Sequence, residues 1–217
     1  MMTLRPFHRD DLEALYAISL ATGEAGQDAS HLHDDARLIG HIYSAPYALL
    51  APDLAIVAID DEGVAGYVVG ALDTHAWEET LERLWWPELR RRYADPAAAP
   101  RESWSHDQRR AYIIHHPGRT PGVVVAAFPA HIHLNLLPRA QRRGIGSSLL
   151  RSWLQRAAAR GATAAHVAVS RANAGGLKFW ESRGFAALAL EGLPAGRTVW
   201  MGRVLVSEDW QGLPAAV

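Results

Sequence analysis

Apolar positions recur along this chain at two periods, and the switches between them mark its elements. Thr3 to Phe7 fits a short first strand. After Arg9-Asp10-Asp11, residues Leu12, Leu15, Tyr16, Ile18 and Leu20 fall near a period of 3.6. That spacing predicts a helix, and the acidic residues before it suit a helix N-terminus. Gly23 to Ser30 reads as a polar loop, and a second helix is expected over Asp34 to Tyr43. Leu54 to Ile59 is a continuous apolar run, Asp60 to Gly63 a turn, and Val64 to Leu72 a second run, which predicts a hairpin. Trp77 to Tyr93 is helical in period, with Trp77, Leu81, Leu84, Trp85 and Leu89 on one face. Pro87 lies inside it and should kink or end it. Asp95 to Pro100 is a loop. The stretch from Trp104 to Val125 predicts a short helix near Gln108, a turn at His115 to Gly118 and a strand entering at Val123.

The pattern sharpens in the last third. A strand over Ala130–Leu137 leads through Pro138-Arg139 into a helix over Ile145–Arg160, with Gly161 as its C-cap. A strand over Ala164–Val169 follows, then a helix from Asn173 through Arg183 that stops at Gly184. Phe185–Leu190 and Thr198–Val206 are expected to be the final strands. The strand–helix–strand unit implies a right-handed crossover and a parallel strand pair. The other strands look antiparallel, so the predicted class is mixed α/β.

Composition narrows the choice. The chain has 217 residues, 49% of them hydrophobic, which is enough for one well-cored domain over residues 1–217. A helical and loop insertion is expected at about 76–122. A formal net charge of −1 argues against a general nucleic-acid binder. The absence of cysteine excludes a thiol nucleophile and a disulfide framework. The first residues lack the apolar core of a signal peptide, and no run approaches a membrane span. The expectation is a soluble cytoplasmic protein with no nucleic-acid or membrane partner.

Gln141-Arg142-Arg143-Gly144-Ile145-Gly146 carries the chemistry. A strand, a basic glycine loop and a helix N-terminus together make an anion site, because the helix's first N–H groups have no intrahelical partner. Gly144 and Gly146 remove Cβ atoms that would hold a phosphate away. Arg139, Arg142 and Arg143 add positive charge. A P-loop is excluded, since no Gly-Lys-Ser/Thr follows. A dinucleotide fold is excluded too: its loop follows the first strand, and the second strand here ends in Val169-Ser170-Arg171 rather than an acidic residue.

Gln141-x-x-Gly144-x-Gly146 resembles the pyrophosphate-binding motif of the GNAT acetyltransferase superfamily. Asn173, followed by Leu177-Lys178-Phe179-Trp180-Glu181-Ser182-Arg183-Gly184-Phe185, is similar to its next helix and turn. A wider set covers nearly the whole chain: Leu4-Arg5-Pro6, the Gly23–Asp28 loop, Asp61 to Tyr67, Trp86 to Arg90, Phe128 to Ile132, Gly192-Leu193-Pro194 and Met201-Gly202-Arg203. It resembles the acetyltransferase-like domain of animal O-GlcNAcase in a stand-alone bacterial form. The resemblance implies a GNAT fold: a central mixed, mostly antiparallel sheet flanked by helices, with a parallel, splayed strand pair at the CoA site. It implies acetyl-CoA as cosubstrate and an unidentified amine as acceptor. Backbone groups of Arg142, Arg143, Gly144, Ile145, Gly146 and Ser147 would hold the pyrophosphate beside Gln141. Leu134 and Leu136 would offer backbone groups to the acetyl carbonyl and the pantetheine arm, and Asn173 would touch the cosubstrate from the other side.

Many GNAT enzymes place a tyrosine where this chain has Trp180. An indole can wall the CoA sulfur but cannot act as a general acid. Two functions therefore stay open: an N-acetyltransferase working by direct attack, or a module that binds acyl-CoA or a protein without turnover. His131 and His133 alternate on the motif strand and are candidates for the base. Ile132, Leu134 and Leu136 hold the register in which related enzymes usually present catalytic groups, so a bulge would be needed to bring the histidines in. Asp28 and Glu24 could contact the acceptor amine, or Asp28 could close a side-chain turn. His131-x-His133 also has a metal-ligand spacing, but no third ligand is evident and no metal is expected. Trp77, Trp85, Trp86 and Trp104 would line an acceptor cleft, form a homodimer patch, or fix the inserted helices to the sheet.

Overall fold

The computed structural model describes residues 2–205. In chain order, β1 spans Thr3–Pro6, α1 Leu12–Ala21, α2 Leu38–Tyr43 and α3 Ala45–Leu50. The hairpin follows as β2 (Ile56–Asp60) and β3 (Gly63–Ala71). Four helices come next: α4 (Thr74–Leu84), α5 (Trp86–Arg92), α6 (His106–His115) and α7 (Gly122–Ala127). The last third is β4 (Ala130–Leu136), α8 (Ile145–Ala158), β5 (Ala164–Ser170), α9 (Ala174–Glu181), β6 (Ala186–Ala187) and β7 (Thr198–Val204).

Among the described residues these strands form one seven-stranded sheet in the order β1-β2-β3-β4-β5-β7-β6. Only β4 and β5 run parallel, and α8 is their crossover. The core lies in two layers, one on each face. On one face, Leu149, Leu150, Trp153, Leu154 and Ala157 of α8 meet Ile56, Val68, Ile132 and Val167 of the sheet. On the other, Leu15, Ile18, Leu38, Tyr47 and Trp77 from the helices meet Val57, Tyr67 and Val69. The strands alternate between these layers, as a period of two requires.

Local chemistry sets several boundaries. Asp73 caps α4, accepting from the Ala76 N–H at 2.9 Å. Ser105 and Gln108 form a reciprocal capping box on α6. Gly161, at φ 89°, turns the chain out of α8 while the Ala162 N–H closes onto the Ala157 carbonyl at 3.0 Å.

Some expected elements differ. The helix expected at 34–43 starts at Leu38, and α3 follows after Ser44, with Pro46 in its first turn. The pattern over 77–93 is two helices joined at Trp85, because Pro87 fits a first turn, where its missing N–H has no partner to lose. The strand expected to enter at Val123 is instead α7. Burial of Val124 and Val125 there overrides the strand preference of three consecutive valines. The strand expected over 185–190 shortens to Ala186–Ala187. Val206 lies outside the described residues.

Gly70 on β3 lets α8 sit close against the sheet. A Cβ there would strike the backbone oxygen of His131 and come within 2.7 Å of the Trp153 ring. Neither a strand backbone nor a fully buried indole can step aside. Gly70→Ala is therefore expected to lower stability by about 3 kcal/mol or more, read as a fall in the urea midpoint at unchanged m-value.

Candidate active site

The parallel pair opens almost as soon as it forms. β4 and β5 are in register at Ala130/Ala165 and His131/His166 and at no later position, although β4 continues to Leu136 and β5 to Ser170. The direction of the freed groups follows from the ladder on the other side. The Leu137 N–H donates to Ala65 of β3 at 2.8 Å. Backbone groups of successive strand residues point to alternate edges. Leu134 and Leu136 therefore turn their N–H and C=O groups away from β3, into the gap. The Gln141 side chain reaches the Leu136 carbonyl from that side at 2.9 Å.

The glycine loop lies at the mouth of the gap. Gly144 is the N-cap of α8, with φ 79°, and Arg142 is also left-handed at φ 57°. Tight turns with such residues make anion-binding concavities. Ile145, Gly146 and Ser147 occupy the first turn of α8, where no intrahelical carbonyl reaches their N–H groups. The two glycines differ in their reasons. Nothing lies within 4 Å of a Cβ built on Gly144, so its requirement is conformational. A Cβ on Gly146 would sit 3.1 Å from Phe179 and 3.2 Å from Leu136, so that glycine lets α9 approach α8. Arg142 and Arg143 are exposed. Arg139 is committed elsewhere, bonded to Asp60 at 2.9 Å.

On the far side of the gap, Asn173 caps α9 by accepting from the Gly176 N–H at 2.8 Å. A Cβ on Gly26 would lie 3.4 Å from its carboxamide, so the polar 23–30 loop touches this cap. Trp180 is buried against Phe179 and Phe185, with ring centres 5.2 and 4.9 Å apart. Phe179, rather than Trp180, is the ring that lies against the glycine loop.

β4 pairs with β3 without the bulge needed to turn the histidines inward, so they keep the face opposite Leu134 and Leu136, and that face itself holds a cavity of about 420 Å³ under α3 and α4. His131, His133 and His166 form part of its wall with Tyr43, Tyr47 and Trp77. A hydrogen-bond relay fixes their protons. The Thr74 hydroxyl donates to the Pro129 carbonyl at 2.7 Å, and a carbonyl can only accept. Thr74 Oγ1 must then accept from His131 Nδ1–H at 2.8 Å. In a neutral ring His131 Nε2 is the acceptor, and Tyr47 O–H donates to it at 2.8 Å. Tyr47 Oη in turn accepts from His133 Nε2–H at 3.2 Å. The relay leaves His133 with a bare Nδ1.

Burial holds every member neutral. It pulls His131 well below the usual imidazole value, with His133 and His166 adding to the effect. It brings His133 down to about 4, helped by His166. It also raises the Tyr47 phenol above its ordinary range. His166 is lowered by burial, partly offset by the Phe128 carbonyl, which its Nδ1 meets at 2.6 Å. Among the described residues, no three His, Cys, Asp or Glu side chains gather as a metal site.

Asp28 is not brought to the histidines. It is exposed, and its oxygens accept from the Ser30 N–H at 2.9 Å and the Ser30 hydroxyl at 2.8 Å, so it closes its own turn. The tryptophans serve mainly as core: Trp77, Trp86 and Trp104 are buried, and Trp77 stacks on Tyr47 at 4.4 Å. Trp77 and Trp86 also wall the cavity. Sequence reasoning missed Tyr47, Thr74, Glu78 and His166, which are spread over α3, α4 and β5 without a motif.

One mixed sheet, opened between its parallel strands beside a left-handed glycine loop, defines an acetyltransferase class of α/β fold. The chain belongs to the acetyltransferase (GNAT) family, whose model matches residues 12–185. It is similar to the crystal structure of SsHAT at 34% identity and a TM-score of 0.85, covering 94% of this chain and 98% of that one. It also shares its fold with yncA from Salmonella typhimurium, solved with its cofactor acetyl-CoA. That match has 16% identity and a TM-score of 0.54, over 100% of this chain and 99% of that one. PaiA N-acetyltransferase from Thermoplasma acidophilum, in complex with coenzyme A, matches at 14% identity and a TM-score of 0.51, over 94% and 99%. Among the described residues, no helix is long and apolar enough to cross a membrane.

Proposed function

We propose that this chain binds acetyl-CoA and transfers the acetyl group to a primary amine by direct attack, with His133 as the base. The early parting of β4 and β5, with the glycine loop at its mouth, carries the reading. The residues fit the cosubstrate. The N–H groups from Arg142 to Ser147 would hold its pyrophosphate beside Gln141, and the freed backbone of Leu134 and Leu136 its arm and acyl carbonyl. Asn173 and Trp180 would flank it from α9. The thioester supplies an activated acetyl group. An N–C bond forms as the C–S bond breaks: the amine proton passes to His133 Nδ1, CoA leaves as the thiolate, and the imidazolium then returns the proton to solvent, from which the thiolate is protonated to the CoA thiol. Asp28 is exposed and closes its own turn on Ser30, so it would meet the acceptor at the loop rather than serve as the base. The residue set from Leu4 to Arg203 supports a further likeness to the acetyltransferase-like domain of O-GlcNAcase.

A binding module without turnover is the second reading. Trp180 favours it, since that position is buried and offers no hydroxyl to the leaving thiolate. Calorimetric titration with acetyl-CoA tests the first part: folded protein that binds none overturns the proposal. CoA release with a broad panel of amines tests the second part, and binding without release selects the module. Gly144→Val isolates the loop. A β-branched residue at φ 79° forces the turn to reorganise, while open space around it spares the core. Acetyl-CoA affinity is expected to fall by about tenfold or more, with a stability loss of only about 1–2 kcal/mol.

A further inference from the structure

The cavity in front of the histidines has the size of a small-molecule site, at about 420 Å³. Its walls are unusually aromatic: Tyr43, Tyr47, Trp77, Trp86 and Trp200 all line it. Its charges come from few groups. Glu82 is neutralised by a two-pronged bond to Arg90, both contacts at 2.9 Å. Arg119 stands exposed at the rim. The three histidines are neutral for the reasons given above.

Glu78 on α4 is the exception. One of its carboxylate oxygens accepts from the Thr120 N–H at 2.8 Å. The other, Oε2, is buried with no hydrogen-bond partner. The Trp77 indole N–H beside it in sequence is buried and unpartnered as well. A buried carboxylate oxygen without a partner has given up its water and gained nothing in return. A positively charged donor delivered into the cavity would remove that cost. Aromatic faces around a cation add to the attraction.

We propose that the acceptor is a small primary amine on a flat aromatic body, its ammonium drawn to Glu78 and its ring held among Tyr43, Trp86 and Trp200. This rests on the acetyltransferase reading of the same site. Glu78 and His133 line the same cavity, so an amine held there shares the chamber with the base. A lysine side chain on a protein presents a cation without a flat face, and would leave the aromatic walls without a counterpart. An anionic acceptor would meet Glu78 with like charge.

Titration of the acetyl-CoA-saturated protein with 2-phenylethylamine, and separately with 2-phenylethanol, tests the proposal. The amine is expected to bind at least about tenfold more tightly than the alcohol. Glu78→Gln is expected to remove that preference and to leave acetyl-CoA affinity unchanged, which also reports that the variant is folded. Equal binding of amine and alcohol, or full amine affinity in folded Glu78→Gln, overturns the proposal. So does tighter binding of a lysine-containing peptide. If the variant does not fold, the comparison of amine with alcohol on the unaltered protein decides alone. Loss of acetyl-CoA binding by the unaltered protein would instead refute the acetyltransferase reading.

Discussion

Between about pH 6.5 and pH 4 the folded protein is expected to lose stability steeply. The cause is a set of histidines folded in the neutral state. His41 is brought from 6.5 to about 4, first by burial and then by Arg92. His133 is brought to about 4, His131 lies well below its ordinary value, and His166 is lowered. Each has a folded pKa below its unfolded one. In the window between the two, the unfolded chain binds more protons, so stability rises with pH and is lost as pH falls. For His41, only 6% exposed, a shift from 6.5 to about 4 corresponds to about 3 kcal/mol. The His131 ring lies 6.0 Å from His133 and 5.8 Å from His166, so the first proton taken up opposes the next. Total stabilities are typically about 5–15 kcal/mol, so this set alone brings the fold near its limit. Asp11 behaves differently. Burial raises it, but its bonds to Arg5 and the His8 N–H outweigh that and hold it below 3.8. Its contribution is present above about pH 4 and is lost only below. Urea midpoints at about pH 7.5 and about pH 5 should differ clearly. Equal midpoints would show that these imidazoles charge freely in the fold.

The fold and the two halves of the site were legible to very different degrees. The glycine loop was legible because its meaning is local. Gly144 needs a left-handed backbone, α8 shows its apolar face at a period of 3.6, and both lie in one contiguous stretch. The parallel pair followed from the crossover rule, and its splay came from the family resemblance. The helices between β3 and β4 were read less well, because tertiary burial, not propensity, decides that Val123 to Val125 coil into α7. The histidine relay was not legible at all. His131 and His133 stood out, but their partners are Tyr47 on α3 and Thr74 at the start of α4, separated from them by 84 and 57 positions. Nothing in a linear pattern distinguishes Tyr47 from the other tyrosines. Asp28 shows a legible case: the side-chain turn open to it in the sequence is the one it makes with Ser30.

Replacing His133 by Ala is expected to lower the rate of CoA release with an accepted amine by about 100- to 10,000-fold, the usual worth of a positioned base. Acetyl-CoA affinity should be unchanged, because His133 and the gap-facing backbone of Leu134 point to different sides of β4. The choice of His133 over His131 rests on proton direction rather than proximity. His131 has both ring nitrogens engaged, donating to Thr74 and accepting from Tyr47. A proton delivered to it would break one of these bonds in a buried place. His133 donates through Nε2 to Tyr47 and keeps that bond when Nδ1 is protonated. Burial brings it to about 4, which keeps the lone pair free at neutral pH but makes it a weak base, so its contribution comes from position. Tyr47 is then a positioning residue. Tyr47→Phe removes the oxygen that selects the Nε2–H tautomer and should cost about tenfold in kcat, with acetyl-CoA affinity intact. In that variant two-dimensional nitrogen NMR should show both tautomers of His133, where the unaltered protein shows one. A His133→Ala protein that releases CoA at the full rate would move the base elsewhere. A His133 that resonates as the Nδ1–H tautomer in the unaltered protein would break the relay at its last link.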